Sequence, residues 1–366
     1  MKQVKEIKKE SLRPEPIIVG IDTSCDETSI AISKGRKILS NIRTTQIELH
    51  KQFGGVVPDI SRRAHEENIE GVYQEALRKA KIQESDIEYI AVTYGPGLAI
   101  DLEVGINYAK ALALRLNIPL VPANHMEGHL TSSLALNSKG NGDAVDEVLD
   151  NMFPALGLLM SGKHTEIIYV KSIGDYKKLG QTLDDAAGEA FDKVGRMLNF
   201  GYPGGPVVSE FAKRGTLGGI SLPIPMERSK DLNFSYSGLK TACLYKIKEL
   251  REGNVPEKEW IYDFCRSFVE SITRSVEIKL LKALEENSDI KSVLVGGGVF
   301  SSEFILRRIL KLVNDYGLDM FYPTKEIRSD NGAMICIAGY FNILRKNYIT
   351  DVEEINKLER NPRLSL

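Results

Sequence analysis

The sequence predicts an α/β fold made of two related halves. Apolar runs of strand length alternate with helical patterns, which is the order expected of packed sheets and helices. Two hairpin signals, residues 20–32 and 157–169, each open a long α/β segment. Aligned at an offset of 157 − 20 = 137, they share the pairs Gly20/Gly157, Ser24/Ser161, Thr28/Thr165 and Ile30/Ile167. This shared pattern indicates an internal duplication, and 366 residues suit about two domains.

The expected elements follow from the spacing of apolar residues. Short β-rich runs predict strands, whereas apolar residues three and four apart predict helices. The first hairpin joins Ile17–Ile21 to Ser29–Ser33, and the second falls within residues 157–170. Further strands are expected at Tyr89–Thr93, Leu120–Pro122, Ser292–Val295 and Met320–Tyr322, and helices at Ala64–Ala80, Gly105–Leu116, Asp185–Leu198 and Trp260–Glu285.

Composition excludes several classes of protein. With 48 basic and 50 acidic residues the net charge is −2, so any nucleic-acid binding must use a local basic patch. Candidate patches are Arg62–Arg63, Lys177–Lys178 and Arg307–Arg308 with Lys311, although each also suits an ordinary solvated face. No apolar run approaches the roughly 20 residues that span a bilayer. A disulfide framework and a thiolate zinc site are disfavoured, because the cysteines are scattered (Cys25, Cys243, Cys265 and Cys336). A cytoplasmic protein that does not enter membranes is expected.

The chain divides at two polar segments. Residues 1–16 are charged and lack an apolar signal core, which predicts a flexible leader. A linker is expected at residues 137–150, because residues 137–143 read NSKGNGD. The resulting division is a first lobe at 17–136, a second lobe at 151–330, and residues 331–366 as a helix that packs back toward the first lobe, followed by a tail.

Two histidines four residues apart predict a metal site. Asn124 is a good helix N-cap, and Glu127 three residues later suits a capping box. His125 and His129 would then lie on one helix face, about 5–6 Å apart at Cβ, so both imidazoles could reach one ion. The alternative is a solvated helix end. A zincin-type protease is disfavoured, because Glu127 lies about 200° around the helix from His125.

Glycine-rich and acidic turns predict an anion-binding cleft. The hairpin turns DTSCDETS and SGKHTE offer backbone N–H groups, hydroxyls and carboxylates, although each alone suits an ordinary hairpin. The segment VGGGVFSSE places three glycines before a helix capped by Ser301 or Ser302, and it is not a P-loop. Asp330 precedes an apolar helix, where it either caps that helix or completes a His/His/Asp site.

Taken together, these segments resemble the tRNA threonylcarbamoyladenosine transferases, once labelled glycoproteases. The resemblance runs from about Ile17 to about Arg345, and its specificity lies in the joint order of the motifs. They are GIDTSCDETSIAI, ANHMEGHL, LDDAAGEAFDKVGRMLNFGYPGGP, FSYSGLKTA and SDNGAMICIAGY. The resemblance implies the actin/Hsp70/sugar-kinase fold, in which two duplicated lobes clasp a nucleotide.

The resemblance also implies a reaction and a set of site residues. The family transfers a threonylcarbamoyl group from threonylcarbamoyl-AMP to N6 of the adenosine 3′ of the anticodon, in tRNAs that read codons starting with A. His125, His129 and Asp330 would hold one divalent ion, iron or zinc. Asp26 is our candidate for the base that accepts the amine proton. The adenylate would be bound by Leu159, Met160, Ser161, Gly162, Lys163, Asp192, Gly205 and Ser302.

The chain departs from the family pattern at three places. The family usually has Ser-Gly-Gly-His-Thr, but Lys163 replaces the second glycine here. Ser302 stands where an asparagine is common, and Ile100, Asp101 and Glu103 stand where small or apolar residues are usual. These departures concern nucleotide binding more than the metal ligands.

Two alternatives remain open at this stage. One is another ATP-using enzyme of the same fold, and the other is a non-catalytic nucleotide-binding relative that serves as a partner. Besides tRNA, the resemblance implies protein partners: a homologous non-catalytic subunit, an ATPase subunit and the enzyme that makes the adenylate.

Overall fold

Two five-stranded sheets form the framework of the part of the chain that the structure describes. In the computed structural model, residues 14–136, 146–253 and 256–366 are described. The expected leader (1–16) and linker (137–150) lie largely outside the described residues, so the lobe boundaries remain a prediction. None of the described helices combines the length and the apolar character that crossing a bilayer requires.

The two sheets share one topology. The first contains β1 (Ile17–Asp22), β2 (Glu27–Lys34), β3 (Lys37–Thr45), β4 (Tyr89–Gly95) and β5 (Leu120–Asn124), in the order β3-β2-β1-β4-β5. The second contains β6 (Ala155–Met160), β7 (Thr165–Ser172), β8 (Asp175–Gln181), β9 (Ser292–Gly296) and β10 (Asp319–Phe321), in the order β10-β9-β6-β7-β8. In each sheet three antiparallel strands continue into two parallel ones. This repeated arrangement confirms the predicted α/β duplication.

Helices connect and cover the strands. They are α1 (Ile47–His50), α2 (Pro58–Ala80), α3 (Ala99–Leu116), α4 (His125–Thr131), α5 (Asp146–Asn151), α6 (Ala187–Met197), α7 (Gly205–Ala212), α8 (Ser237–Glu252), α9 (Glu257–Glu286), α10 (Glu303–Asp315), α11 (Gly332–Leu344) and α12 (Val352–Lys357). The long helix predicted from Trp260 is confirmed as α9. Helix α2 begins at Pro58, earlier than the predicted Ala64, because proline is favoured in the first turn.

The apolar pattern missed β3, β8 and α8. Strand β8, DYKKLGQ, is an edge strand whose lysines are typical of a protected sheet edge, so its sequence lacks an apolar alternation. Lys178 on this strand pairs with Glu166 of β7, with 2.7 Å between Nζ and Oε1.

Helices α4 and α11 lie in a core shared by both sheets. This core contains Ile18 and Val121 from the first sheet, Ile168 and Leu294 from the second, and apolar residues of both helices. All residues of α11 from Gly332 to Ile343 are buried. Although α11 follows the second sheet in the chain, it packs directly on β1, where Gly20 contacts Cys336 of the helix. These two central helices position the candidate site.

Candidate metal centre and cleft

Three potential metal ligands converge between α4 and α11. His125 and His129 lie on successive turns of α4, which follows β5 without a loop, and one residue, Asn331, separates Asp330 from the start of α11. One ligand atom from each of the three lies within 4.8 Å of the others. The Oδ1 atom of Asp330 is 3.1 Å from Nε2 of His129 and 3.7 Å from Nε2 of His125. Two nitrogens and one carboxylate oxygen are a ligand set suited to zinc or iron.

The local structure rejects the alternative roles of these residues. His125 and His129 are buried, at 7% and 1% exposure, so they are not a solvated helix end. Nε2 of His129 faces only Asp330, at 3.1 Å and without the geometry of a hydrogen bond, and Nδ1 of His129 has no hydrogen-bond partner among the described residues. Buried polar atoms without partners are uncommon. The N-cap of α11 is Asn331, whose side chain accepts from the N–H of Met334. Asp330 is therefore free to act as a ligand, and the group fits a metal ion.

The surroundings of His125 orient its ring. Its Nδ1 faces the first hairpin, 3.1 Å from Oγ of Ser24 and 3.5 Å from Oδ1 of Asp22. Asp22 is fixed in turn by the Thr93 hydroxyl, which donates to Oδ1 at 2.6 Å. With Nδ1 engaged, Nε2 is left facing Asp330, as is usual for a metal-binding histidine held by an outer partner.

The carboxylate and imidazole groups of the cluster stabilise one another's charged forms. Desolvation disfavours the ionised form of Asp330, but the nearby imidazoles of His125 and His129 overcome it and hold the pKa of this carboxyl below its usual range. Burial also acts against protonation of His125, yet Asp330 and Asp22 raise its pKa. The centre therefore attracts positive charge.

Glu127 does not have its predicted capping role. Asn124 caps α4 by accepting from the N–H groups of Met126 and Glu127. The Glu127 carboxylate instead accepts hydrogen bonds from Tyr176 and Arg345, on the side of α4 away from Asp330. The expectation that it faces away from the metal ligands is consistent with these contacts.

Both hairpin turns line one cavity beside this cluster. The cavity has a volume of about 620 Å³, and its lining includes His125 and Asp330. Ser24, Cys25 and Asp26 line it from the first turn, and Ser161, Gly162, Lys163 and His164 line it from the second. Nζ of Lys163 lies 3.5 Å from Sγ of Cys25, so this side chain reaches from one turn to the other.

The predicted site residues divide into two groups. Those with atoms in the cavity lining are Asp26, Ser161, Gly162, Lys163 and Asp192, together with the candidate ligands His125 and Asp330. The third candidate ligand, His129, is buried at 1% exposure outside the described lining. Side chains of Leu159 and Met160 are instead buried in the cores on the two sides of β6, at 1% and 0% exposure. Ser302 is buried at the start of α10, outside the described cavity lining. Gly205 is also outside the described cavity lining. It contacts the lining only through Asp192, whose Oδ1 accepts a hydrogen bond from its N–H at 2.9 Å.

Sequence reasoning missed several lining residues, among them His164. Burial, followed by the nearby imidazoles of His125 and His129, lowers the pKa of His164 to about 4, so its ring is neutral near pH 7. Its position inside the second hairpin motif was the available signal. Tyr202, Glu189, Lys193 and Arg196 also line the cavity, and their position in the motif LDDAAGEAFDKVGRMLNFGYPGGP was the available signal for them.

Comparison with known proteins decides the family. A family model described as tRNA N6-adenosine threonylcarbamoyltransferase matches residues 37–337. The chain belongs to this family. Membership identifies the protein as a transferase that modifies tRNA.

Curated members of the tRNA N6-adenosine threonylcarbamoyltransferase family match nearly the whole chain. The protein of that name from Clostridioides difficile (strain 630) is 44% identical over 329 residues, covering 90% of this chain and 93% of its own. The one from Thermosipho africanus is 41% identical over 352 residues, covering 96% and 100% respectively.

A solved structure shares the fold of this transferase family member. The crystal structure of T. kodakarensis HypF matches with a TM-score of 0.57 at 15% identity, covering 90% of this chain and 48% of that one. This likeness supports the actin/Hsp70-like fold that the family resemblance implied.

Proposed function

We propose that this transferase moves the threonylcarbamoyl group of threonylcarbamoyl-AMP to N6 of the adenosine 3′ of the anticodon, in tRNAs that read codons starting with A. The observation that carries the proposal is the shared cleft, which both hairpin turns line together with His125 and Asp330 of the His/His/Asp cluster. The turns can bind the nucleotide part of a donor substrate, and the acyl group of that substrate would then lie beside the cluster, where it can be transferred.

One divalent ion, iron or zinc, is the proposed cofactor, held by His125, His129 and Asp330. When bound, such an ion supplies Lewis-acid stabilisation of charge that develops on acyl or phosphate oxygens. The outer contacts of Ser24 and Asp22 keep His125 oriented toward the ligand cluster.

The donor is proposed to lie along the second hairpin. The N–H groups of Ser161 and Lys163 already donate within the turn, to the His164 carbonyl and the Ser161 hydroxyl, so the proposed donors to its phosphate are the N–H of Gly162 and the ammonium of Lys163. Lys163, where the family usually has glycine, adds a positive charge beside the cluster. Asp192 and Gly205 would lie toward the nucleoside. Leu159, Met160 and Ser302 remain predicted contacts, which Leu159 and Met160 would make through their backbone.

The transfer step is an acyl substitution. The N6 amine attacks the carbamoyl carbon, a C–N bond forms, and the C–O bond to phosphate breaks to release AMP. One N6 proton must be accepted, and Asp26 in the first turn is the proposed base. His164 is a neutral hydrogen-bonding group beside this path.

The partners and location are also proposals. We expect the homologous non-catalytic subunit, the ATPase subunit and the adenylate-synthesising enzyme to work with this chain in the cytoplasm. The basic pairs at Arg62–Arg63 and Lys177–Lys178 are candidate tRNA phosphate contacts.

A single-turnover assay tests the proposal. Purified protein would be mixed with threonylcarbamoyl-AMP and an unmodified tRNA that reads an A-starting codon, with and without the partner proteins. We expect modified adenosine from the wild type and none from His125→Ala. His50→Gln is the matched control, since His50 is fully buried but outside the ligand cluster. A metal-loaded wild type that forms no product with any partner set would refute the transferase proposal and favour the non-catalytic relative.

A further inference from the structure

The side of α4 opposite Asp330 carries a buried carboxylate that the proposed reaction does not use. Glu127 lies between the two ligand histidines in sequence and is 5% exposed. Its Oε1 atom accepts from the Tyr176 hydroxyl at 2.7 Å and from Nη2 of Arg345 at 2.8 Å. Burial, reinforced by the charge of Glu127, raises the pKa of Tyr176 well above its usual value, so the phenol remains a donor.

These contacts join three elements that are distant in sequence. Glu127 belongs to α4, Tyr176 to the edge strand β8, and Arg345 to the C-terminal end of α11. Asp330 lies beside the opposite end of α11. One carboxylate therefore links the helix that carries two ligands to both the second sheet and the helix that follows the third ligand.

Further contacts fix the Arg345 end of this link. Asn342 of α11 accepts from Arg345 and donates from Nδ2 to the carbonyl of Pro122 at 3.1 Å, on the strand that leads into α4. Gly174, at φ +94°, has no side chain, and a Cβ there would collide with the Arg345 guanidinium. The loop before β8 thus leaves room for the arginine.

Direct packing brings α4 and α11 close together near the ligands. A Cβ on Gly128 would lie 3.2 Å from Cδ1 of Ile335 and 3.3 Å from Cγ of Met334. With so little room, a change in the tilt of either helix alters the separation of His125, His129 and Asp330. Metal affinity depends on that separation, because ligand distances tolerate only about 0.2 Å of error.

We propose that Glu127 is a positioning residue for the metal centre, acting through Arg345 and Tyr176 to hold α4 and α11 at the spacing that metal binding requires. This inference rests on the metal centre of the proposed function. The rival explanation is an ordinary buried ion pair that stabilises the fold without affecting the ligands.

Two variants of opposite charge separate positioning from through-space electrostatics. Glu127→Gln removes a negative charge near the centre, whereas Arg345→Gln removes a positive one. Electrostatics alone would weaken metal binding in the first variant and strengthen it in the second. Loss of positioning weakens it in both, and we expect a tenfold to hundredfold fall in affinity, the range seen when outer partners of metal ligands are removed.

The measurement is competition for Zn²⁺ with a chromophoric chelator, together with the visible spectrum of the Co²⁺-loaded protein as a report of ligand geometry. Glu277→Gln is the matched control, because Glu277 is also buried and pairs with Arg308 at 2.8 Å on α9 and α10, away from the ligands. It should lose stability and keep the wild-type affinity and spectrum. Tyr176→Phe removes one hydrogen bond to Glu127 and should show a smaller loss of metal affinity. It replaces Glu127→Gln as the test if that variant fails to fold.

The outcomes are distinct. Wild-type affinity and an unchanged Co²⁺ spectrum in Glu127→Gln, or in Tyr176→Phe should Glu127→Gln not fold, would overturn the positioning role while leaving the metal centre intact. Tighter binding in Arg345→Gln would overturn it in favour of electrostatics. A wild type that binds neither ion would overturn the metal centre of the proposed function, and the positioning role with it.

Discussion

At the residue scale, Asp101 is an acid that the fold buries completely. It lies in the first turn of α3 at 0% exposure. The Ser61 hydroxyl donates to its Oδ2 at 3.0 Å, while Oδ1 has no hydrogen-bond partner among the described residues. Burial raises the pKa of Asp101 from 3.8 to about 7. The Ser61 hydrogen bond and the positive charge of Lys163 oppose this rise, and the negative charge of Asp26 reinforces it.

This raised pKa predicts a pH-dependent stability. Between pH 3.8 and about 7 the folded protein holds a proton on Asp101 that the unfolded chain releases. The stabilisation linked to that proton is therefore full below pH 3.8 and lost as the pH rises through about 7. We expect the free energy of unfolding of Asp101→Asn, relative to the wild type, to increase across this interval. Urea unfolding at several pH values measures it, and parallel pH profiles of the two proteins would contradict the prediction.

Individual residues also show where sequence reasoning failed. That Asn331 and not Asp330 caps α11 could not be predicted locally, because both are good capping residues. Glu127 fits the spacing of a capping box, but Arg345, more than 200 residues away, engages it instead. Local patterns list possible partners for a polar side chain, and tertiary contacts select among them.

At the scale of elements, the approach of α11 to β1 depends on glycine. Gly20 lies opposite Ala31 in the hairpin and faces the start of α11. A Cβ on Gly20 would lie 2.6 Å from the backbone nitrogen of Cys336 and 2.7 Å from its Sγ. Such distances are too short for any side chain, so the helix could remain only if it moved away from the sheet.

We therefore expect Gly20→Ala to lower the free energy of unfolding by about 1–3 kcal/mol or more, as overpacked cores do. Gly71→Ala is the matched control on α2, where a Cβ meets nothing within 4 Å. It should raise stability by about 0.4–1 kcal/mol, because alanine restricts the unfolded chain and favours helix. Chemical denaturation of both variants checks the pair, and equal effects would be inconsistent with tight packing of α11.

Elements with clear apolar periods were predicted well, and polar edge elements were not. The two hairpins, β4, β5, β9 and α9 follow directly from their patterns. Strand β8 and helix α8 do not, because an edge strand and a half-exposed helix carry mostly polar residues whose spacing has no strong period. The predicted linker falls mostly outside the described residues.

At the scale of the whole molecule, the ligand cluster ties together distant parts of the chain. His125 and His129 follow the last strand of the first sheet, and Asp330 follows the last strand of the second. Their convergence depends on the core that the sheets share. Sequence alone showed the duplication and the histidine pair and left Asp330 as either a helix cap or a third ligand, and the family resemblance favoured the ligand role.

Metal binding should consequently stabilise the native state. An ion that binds only the folded protein adds about 2.7 kcal/mol when its free concentration is a hundred times its dissociation constant. We expect Zn²⁺ to raise the melting temperature, EDTA to reverse the rise, and His129→Ala to abolish it. Differential scanning calorimetry measures the shift, and an equal rise in the variant would mean that the ion binds elsewhere.

The position of α11 also has a consequence for protein synthesis. A ribosome makes the first sheet early, but the helix that covers its inner face emerges only after the second sheet has been translated. Until then the nascent chain displays the apolar surface around Ile18 and Val121. Early segments of most proteins can fold as they emerge, whereas this chain must keep its first sheet from aggregating until α11 has been translated. Chaperones that hold nascent chains are therefore expected to bind this surface during synthesis.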